Sequence, residues 1–328
     1  MPKVLHIGPC ETPGGMANVM RILAEHPPEG WEAELLSSHV VGTPWAKWRA
    51  YRRARHILIQ MLKDPAQRPT VVHLHTAADW SWWRKRRFAQ MAHKAGVPNI
   101  VHIHSGQFDT WLKASSPRVS NFRKDILVSQ STVVVLSTSW QEKLSHLIGD
   151  TNVIQNPLDP ALTLKSKGSR DPHKILLLAR NDPIKGGEFA QKLVSELRQK
   201  QPSLFLAMSG IETSEHSWVQ PLGWMTEEQK RVQLSTASIL IIPSKFEGQP
   251  MVALEALAMG TPVLLSDRIH SLPKEIPRAI FEDLEDWKKN LLHLLSSENT
   301  LFDETLLLEY SLPILQEKWK TCYETLLM

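Results

Sequence analysis

Between residues 237 and 267, two short apolar runs enclose a polar loop and a helical pattern. The runs 238–243 and 262–265 are rich in Ile, Val and Leu, which is typical of strands buried on both faces of a parallel sheet. The loop 244–250 ends where the helical pattern of 251–259 begins. Open α/β sheets bind ligands at such strand ends, and the helix amino terminus favours anionic or hydroxyl-rich groups. The segment therefore predicts an α/β fold with a ligand site at this loop.

Two carboxylates, Glu247 and Glu255, bracket the loop and the helix with seven residues between them. A carboxylate accepts paired hydrogen bonds from vicinal hydroxyls, which sugars and ribose present. Each glutamate alone is explained as well by a favourable helix dipole or by solvation on a helix surface. The pair predicts that both carboxylates contact the same ligand, at different depths in the site.

The segment EGQPMVALEALAMGTPVLLSD resembles the E-x7-E segment of retaining glycosyltransferases with the GT-B fold, and it is most similar to glycosyltransferase family 4. This resemblance implies an α/β protein of two Rossmann-like domains whose parallel sheets face each other across a cleft. It implies that Glu247 contacts the donor sugar and that Glu255 holds the ribose of the nucleotide. The amides between them would contact the sugar and the phosphates, from Gly248, Gln249, Pro250, Met251 and Val252.

The chain of 328 residues is long enough for two α/β domains, each with its own core. A hydrophobic content of 42% without any run of 18 apolar residues predicts no spanning helix. The amino terminus enters a strand pattern directly, so we expect no signal peptide. The two cysteines, Cys10 and Cys322, fit a reducing cytoplasm.

The net charge of +4 hides a strongly basic stretch from residue 45 to residue 94. It holds 12 Lys and Arg against two aspartates, and five of the 12 tryptophans. Cations mixed with aromatic residues over Trp45–Arg55 and Trp82–Arg87 suit anionic lipid headgroups or a lipid-linked acceptor. A basic surface that contacts only water explains the composition equally well, and binding to nucleic acid is the third alternative. We therefore expect a cytoplasmic protein, with peripheral attachment to the inner face of the membrane as an open alternative.

A glycine pair, Gly14 and Gly15, separates the first strand pattern from a helix that starts near Met16. Glycine lets the backbone approach a phosphate or sugar closely, although a simple turn explains the loop as well. The spacing is not G-x-G-x-x-G, which argues against a dinucleotide fingerprint. The loop resembles the first loop of family 4 enzymes, which lies near the donor phosphates and the acceptor.

Two strand patterns, VVHLH at 71–75 and IVHIH at 100–104, each end in a histidine. A single histidine is usually structural, but His104 lies at a strand end before a turn of small residues. The segment HIHSGQFD resembles a family segment whose final histidine approaches the donor sugar and the reacting centre. His104 is thus the first candidate and His75 the second, with His73 and His102 deeper in their strands or on the other face.

Residues 158–172 are polar and rich in Lys, Gly, Ser and Pro, which predicts a domain boundary. We expect an N-terminal domain over 1–157 and a nucleotide-sugar-binding domain over 158–310. The resemblance implies that a final helix, at about 311–328, packs back on the first domain.

Arg180 and Lys185 follow the first strand pattern of this second domain, where they could hold anionic oxygens. A surface loop with two ordinary cations is the alternative. The segment LLLARNDPIKGGEF resembles the family segment whose Arg and Lys bind the departing diphosphate, with Ala179 in place of a glycine. Gly210 lies in a loop where the resemblance places nucleobase contacts.

The resemblance of these segments implies a retaining, metal-independent transferase that moves a sugar from a nucleotide diphosphate sugar to a lipid-linked or cell-surface glycan. The expected donor is a UDP-sugar. The candidate catalytic residues are His104, Arg180, Lys185 and Glu247, and no cofactor is expected. Asp182 and Asp267 are isolated and form no D-x-D metal motif. A glycoside hydrolase would have no use for Arg180 and Lys185 at a diphosphate. An inactive scaffold and a nucleotide-sugar epimerase of the same fold remain alternatives.

Overall fold

The computed structural model describes residues 1–162, 170–296 and 304–328. Contacts between these residues divide the chain into two compact units, which are Met1–Pro157 with Glu309–Met328 and Leu158–Leu308. Each unit is a parallel six-stranded sheet with helices. The α/β class predicted from the sequence is confirmed. Residues 163–169 of the predicted linker 158–172 lie outside the described residues.

The sheet of unit 1 has the strand order β2-β1-β3-β4-β5-β6. Its strands are β1 (Lys3–Gly8), β2 (Glu32–Ser37), β3 (Val71–Thr76), β4 (Asn99–Ile103), β5 (Thr132–Val135) and β6 (Asn152–Val153). Its helices are α1 (Gly15–Glu25), α2 (Pro44–Lys63), α3 (Trp80–Lys94), α4 (Phe108–Lys113), α5 (Ser116–Ser129), α6 (Thr138–Ile148) and α11 (Leu312–Thr325).

The sheet of unit 2 has the strand order β12-β11-β10-β7-β8-β9. Its strands are β7 (Asp171–Leu177), β8 (Phe205–Ser209), β9 (Val219–Gly223), β10 (Ala237–Ile242), β11 (Val263–Ser266) and β12 (Arg278–Ala279). Its helices are α7 (Gly187–Leu197), α8 (Glu227–Thr236), α9 (Met251–Ala258) and α10 (Leu284–Ser296), with 3-10 turns at Pro183–Lys185 and Glu304–Tyr310.

Local sequence explains where several helices start. At α2 the Thr43 hydroxyl accepts a hydrogen bond from the Ala46 amide at 3.2 Å, and Pro44 occupies the first turn. At α8, Thr226 and Gln229 form a reciprocal capping box. Such caps satisfy amides that have no partner within the helix, so they fix the register at which each helix leaves its loop.

Both sheets are covered on their two faces, which agrees with their nearly continuous apolar strands. All six residues of β3 are buried. The final helix α11 completes the core of unit 1, where its Trp319 and Tyr323 side chains are each 1% exposed. The Gln316 amide nitrogen of α11 donates to the His26 and Pro27 carbonyl oxygens at 3.2 Å.

The prediction that Trp82–Arg87 form an exposed basic and aromatic surface is wrong for Trp82 and Lys85. Trp82 is only 4% exposed and Lys85 is fully buried, because both lie on the side of α3 that faces the core. The exposed aromatic residues of this helix are Trp80 and Trp83. On α2, Trp45 and Trp48 are exposed as expected, with Arg49 and Arg52 over their rings.

Candidate functional site

In unit 2, candidate residues collect at the carboxyl ends of β7, β8 and β10. The strand order reverses between β7 and β10, because the chain leaves β7 toward β8 on one side and adds β10 on the other. Two neighbouring loops that diverge at such a point leave a crevice, and open α/β sheets bind ligands there. The loop after β7 carries Arg180 and Lys185, and the loop after β10 carries Glu247.

An ion pair joins these two loops. The Lys185 ammonium nitrogen lies 2.7 Å from Oε1 of Glu247, and both side chains are mostly buried. The backbone supports the pair, since the Lys245 amide donates to the Ile184 carbonyl oxygen at 2.8 Å. The structure therefore brings together two predicted site residues that are 62 positions apart.

Arg180 lies beside this pair in sequence but differs from it in environment. Its side chain is exposed, and its guanidinium makes no hydrogen bond or ion pair with any residue that the structure describes. An arginine without a protein partner keeps all five N–H donors for a ligand or for water. The position is suited to an anionic group that binds from solvent.

Gly210 holds the loop after β8 against the loop after β7. Its φ is +79°, and a Cβ at this position would lie 2.6 Å from the Ala179 carbonyl oxygen and 2.7 Å from the Asn181 amide nitrogen. Only glycine fits this approach. The Ser209 hydroxyl adds two bonds, because it donates to the Ala179 carbonyl at 2.9 Å and accepts from the Ala179 amide at 2.8 Å.

Helix α9 begins directly after the loop that carries Glu247. Its N-cap is Pro250, which has no side-chain acceptor for the first amides of the helix. The predicted contact segment is mostly inaccessible: Gly248, Gln249, Pro250 and Met251 are buried, and Val252 is half-buried.

Glu255 makes its ion pair with a different lysine, Lys230. It lies on the second turn of α9, is 3% exposed, and places Oε2 at 2.8 Å from the Lys230 ammonium. Lys230 also contacts Glu227 at 2.6 Å. Although burial opposes it, these two carboxylates raise the pKa of Lys230 above its ordinary value. Lys230 was missed in the sequence, because nothing in its helix indicates which strand or helix it faces.

In unit 1, the glycine pair lies at the start of α1. Gly14 and Gly15 are both exposed, and Gly14 has a φ of +132°, a conformation that side chains rarely allow. No heavy atom of the described residues lies within 4 Å of a Cβ built at either position. The surface beside both glycines is therefore free of other described side chains.

His104 lies just past β4 and is half-buried. Its Nε2 is 2.9 Å from Nδ1 of His75, so the first and second histidine candidates are hydrogen-bonded to each other. Nε2 of His75 is in turn 3.0 Å from Nδ1 of His6. These strands flank the reversal of strand order between β1 and β3. His6 was missed, although the same two-residue alternation that places His75 could have placed it.

Two family models match the chain, one for each unit. Residues 4–157 match the glycosyl transferase 4-like domain, and residues 172–297 match the glycosyl transferases group 1. The chain belongs to the glycosyltransferases. The two matches together span both sheets and include the loops that carry His104, Arg180, Lys185 and Glu247.

A curated relative of this glycosyltransferase-family chain is a glycogen synthase of Mycobacterium tuberculosis, which is 25% identical over 245 residues. The alignment covers 68% of this chain but only 58% of that relative. The chain thus spans less than two thirds of the length of this relative.

Solved structures show the same fold in other glycosyltransferases. A sucrose-phosphate synthase from Thermosynechococcus elongatus superposes with a TM-score of 0.74 at 17% identity, covering 100% of this chain and 99% of that one. Anabaena HepE, solved in complex with UDP and glucose, superposes with a TM-score of 0.70 at 13% identity, covering 99% and 100%. The predicted GT-B fold class is confirmed.

Among the described residues, no helix combines the length and apolar content needed to cross a bilayer.

Proposed function

We propose that the protein transfers a sugar from a nucleotide diphosphate sugar to a hydroxyl acceptor, with retention at the anomeric carbon. The observation that carries the proposal is the 2.7 Å pair between Lys185 and Glu247 at the point where the strand order of unit 2 reverses. On this proposal Lys185 is the cation for a phosphate, and Glu247 beside it is the carboxylate for sugar hydroxyls. Family membership and the fold support the same conclusion.

In this reaction the bond between the anomeric carbon and the phosphate oxygen breaks, and the nucleoside diphosphate leaves with the electron pair. Lys185 and the exposed Arg180 are suited to stabilise the charge that develops on the diphosphate. Before the donor binds, Glu247 neutralises Lys185. A phosphate that takes over Lys185 would release the Glu247 carboxylate to accept hydrogen bonds from the sugar.

The acceptor oxygen forms its new bond on the face that the diphosphate leaves, and its proton passes to the departing phosphate oxygen. This route gives retention without a nucleophilic side chain. In unit 1, Nε2 of His104 is engaged by His75, so Nδ1 is the ring nitrogen available to a ligand. Glu255, held by Lys230, would contact the ribose, and the exposed Gly14 and Gly15 would meet phosphate or acceptor.

The donor is proposed to be a UDP-sugar and the acceptor a lipid-linked or cell-surface glycan. The exposed Trp45 and Trp48, each with an arginine over its ring, supply an aromatic and cationic surface on α2 that suits anionic lipid. On this proposal the protein works in the cytoplasm, at the membrane surface. No metal is assigned a role at the diphosphate.

The test is a panel of UDP-, GDP- and ADP-sugars incubated with the protein, with and without lipid-linked acceptors. Release of nucleoside diphosphate by one donor, and an α-anomeric product from an α-configured donor by NMR, are the expected results. Inverted product would refute retention. Absence of binding and release with every donor would favour an inactive scaffold, and epimerised sugar formed without acceptor would favour an epimerase.

A further inference from the structure

Five histidines lie on one face of the sheet of unit 1. Side chains alternate between the faces of a strand, so His73 and His75 on β3 share a face, as do His102 and His104 at β4. The alternative that His73 and His102 lie on the other face is therefore wrong. The strand register brings these histidines together across neighbouring strands, because His6 on β1 is opposite His73 and His75 is opposite His102. Four of the five rings are buried, and His104 is half-buried at the strand end.

The ring nitrogens form two hydrogen-bonded rows. One row runs from His6 Nδ1 to His75 Nε2 at 3.0 Å, and from His75 Nδ1 to His104 Nε2 at 2.9 Å. The other runs from His102 Nδ1 to His73 Nε2 at 3.1 Å, and from His73 Nδ1 to the Tyr323 hydroxyl at 3.0 Å. His102 Nε2 is buried and has no hydrogen-bond partner among the described residues.

A buried polar atom without a partner is costly and calls for an explanation. His75, His102 and His104 each offer one ring nitrogen within 4.8 Å of the others. We propose that His75 Nδ1, His102 Nε2 and His104 Nε2 bind a transition-metal ion of the zinc class. The set lies at the end of β4, where the half-buried His104 leaves an open side for a fourth ligand.

The surrounding groups complete this assignment. A histidine that binds a metal through one nitrogen usually donates the other N–H to an acceptor, which orients the ring. Here His75 Nε2–H would donate to His6, and His102 Nδ1–H would donate to His73. His73 Nδ1–H would then donate to the Tyr323 hydroxyl. The protons on His75 Nε2, His102 Nδ1 and His73 Nδ1 thus each have an acceptor at 3.0 or 3.1 Å.

The chemistry of the ligands selects the metal. All three proposed ligand atoms are imidazole nitrogens, and their rings lie on one face of the sheet. Neutral imidazole suits Zn²⁺, Co²⁺, Ni²⁺ and Cu²⁺, whereas Mg²⁺ and Ca²⁺ prefer oxygen. The proton now shared by His75 and His104 moves to the outer nitrogen of one ring, so no imidazole loses its proton.

The required movement is small for at least one pair of ligands. Zinc–nitrogen bonds of about 2.0–2.1 Å at tetrahedral angles place the nitrogens roughly 3.3 Å apart. His75 Nδ1 and His104 Nε2 are 2.9 Å apart and would separate by a few tenths of an ångström. Since the set contains no carboxylate, an anionic fourth ligand such as hydroxide would reduce the charge of the ion.

The test measures metal in the intact protein, supplied with Zn²⁺ or Co²⁺ both during expression and after purification. Mass spectrometry should find about one metal ion per chain, and Co²⁺ should give the visible absorption of a four-coordinate site. His102→Ala should lose this metal. His56→Ala, at an exposed histidine of α2, is the matched control and should retain it.

Because His102→Ala removes a buried ring, a milder variant supports the assignment. Tyr323→Phe removes only the acceptor for His73 Nδ1–H, and it should weaken zinc binding by roughly tenfold. Wild-type protein without stoichiometric metal after both supply routes would overturn the proposal, as would equal loss of metal in His102→Ala and His56→Ala. Neither readout depends on sugar transfer, so this inference and the proposed function can fail separately.

Discussion

Lys85 gives the sharpest prediction for the stability of unit 1. Its side chain is fully buried, and its ammonium nitrogen donates to the Ser38 hydroxyl at 2.6 Å. Burial, reinforced by the nearby Arg84 and opposed by Cys10, lowers the pKa of Lys85 from 10.5 to about 7. At 1.36 kcal/mol per pKa unit, charging this lysine in the folded protein costs about 5 kcal/mol relative to the unfolded chain.

The sign follows from where the proton is bound. Below pH 7 both the folded and the unfolded protein bind the Lys85 proton, so the full cost of burying the charged lysine applies. Between pH 7 and 10.5 the unfolded chain keeps the proton while the folded protein releases it, so the free energy of unfolding rises with pH. Between pH 6 and pH 9 the contribution of Lys85 should raise the free energy of unfolding by about 2.7 kcal/mol.

Lys85→Met should remove this dependence, because methionine fills similar space without a titrating group. The Ser38 hydroxyl keeps its bond to the Gly8 carbonyl oxygen. Urea unfolding followed by tryptophan fluorescence at pH 6 and pH 9 measures the difference, and nine of the 12 tryptophans belong to unit 1. Lys94→Met, at an exposed lysine of the same helix, is the control. If the gap between wild type and Lys85→Met does not change with pH, the lysine is solvated and the reasoning is wrong.

Three further outcomes are expected. Lys185→Ala and Arg180→Ala should each lower turnover by roughly 100-fold or more, because the departing diphosphate loses a stabilising cation. Lys192→Ala on α7 is the control and should not lower turnover. If both variants have the steady-state rates of wild type, neither residue belongs to the site. Lys230→Met should destabilise the protein by about 3–5 kcal/mol by leaving buried Glu255 unpaired, and Lys230→Met with Glu255→Gln should recover part of the loss in thermal unfolding. Replacing Arg49, Arg52 and Arg53 by Glu should weaken sedimentation with anionic vesicles, more so at low salt; unchanged sedimentation would exclude α2 as the membrane surface.

The local sequence pattern was sufficient to predict β3, β4, β10 and β11 and the loop that carries Glu247. The apolar run before the loop is β10, and α9 begins at Met251, where the helical pattern begins. Arg180 and Lys185 were assigned to one loop because a strand pattern and a glycine pair enclose them. These features depend on neighbours in sequence, so the sequence alone determines them.

Partners across the fold could not be predicted in the same way. Lys230 meets Glu255 only because α8 and α9 pack together, and no spacing along the chain encodes that contact. The run Arg84-Lys85-Arg86-Arg87 suggested one basic face, yet the helical turn directs Lys85 inward with Trp82 and Phe88. Helices α4 and α5 were not assigned, because Ser115, Ser116 and Pro117 interrupt any long period there.

Helix α11 has a consequence for how the protein is made. It covers His73, with Trp319 at 4.5 Å between ring centroids, and Tyr323 packs on Trp31. During synthesis these surfaces emerge from the ribosome before the whole of unit 2, and their cover emerges only after unit 2. The nascent first half must therefore wait with an apolar face exposed, the kind of intermediate that aggregates or recruits chaperones. A fragment ending at residue 157 would stay permanently in that state.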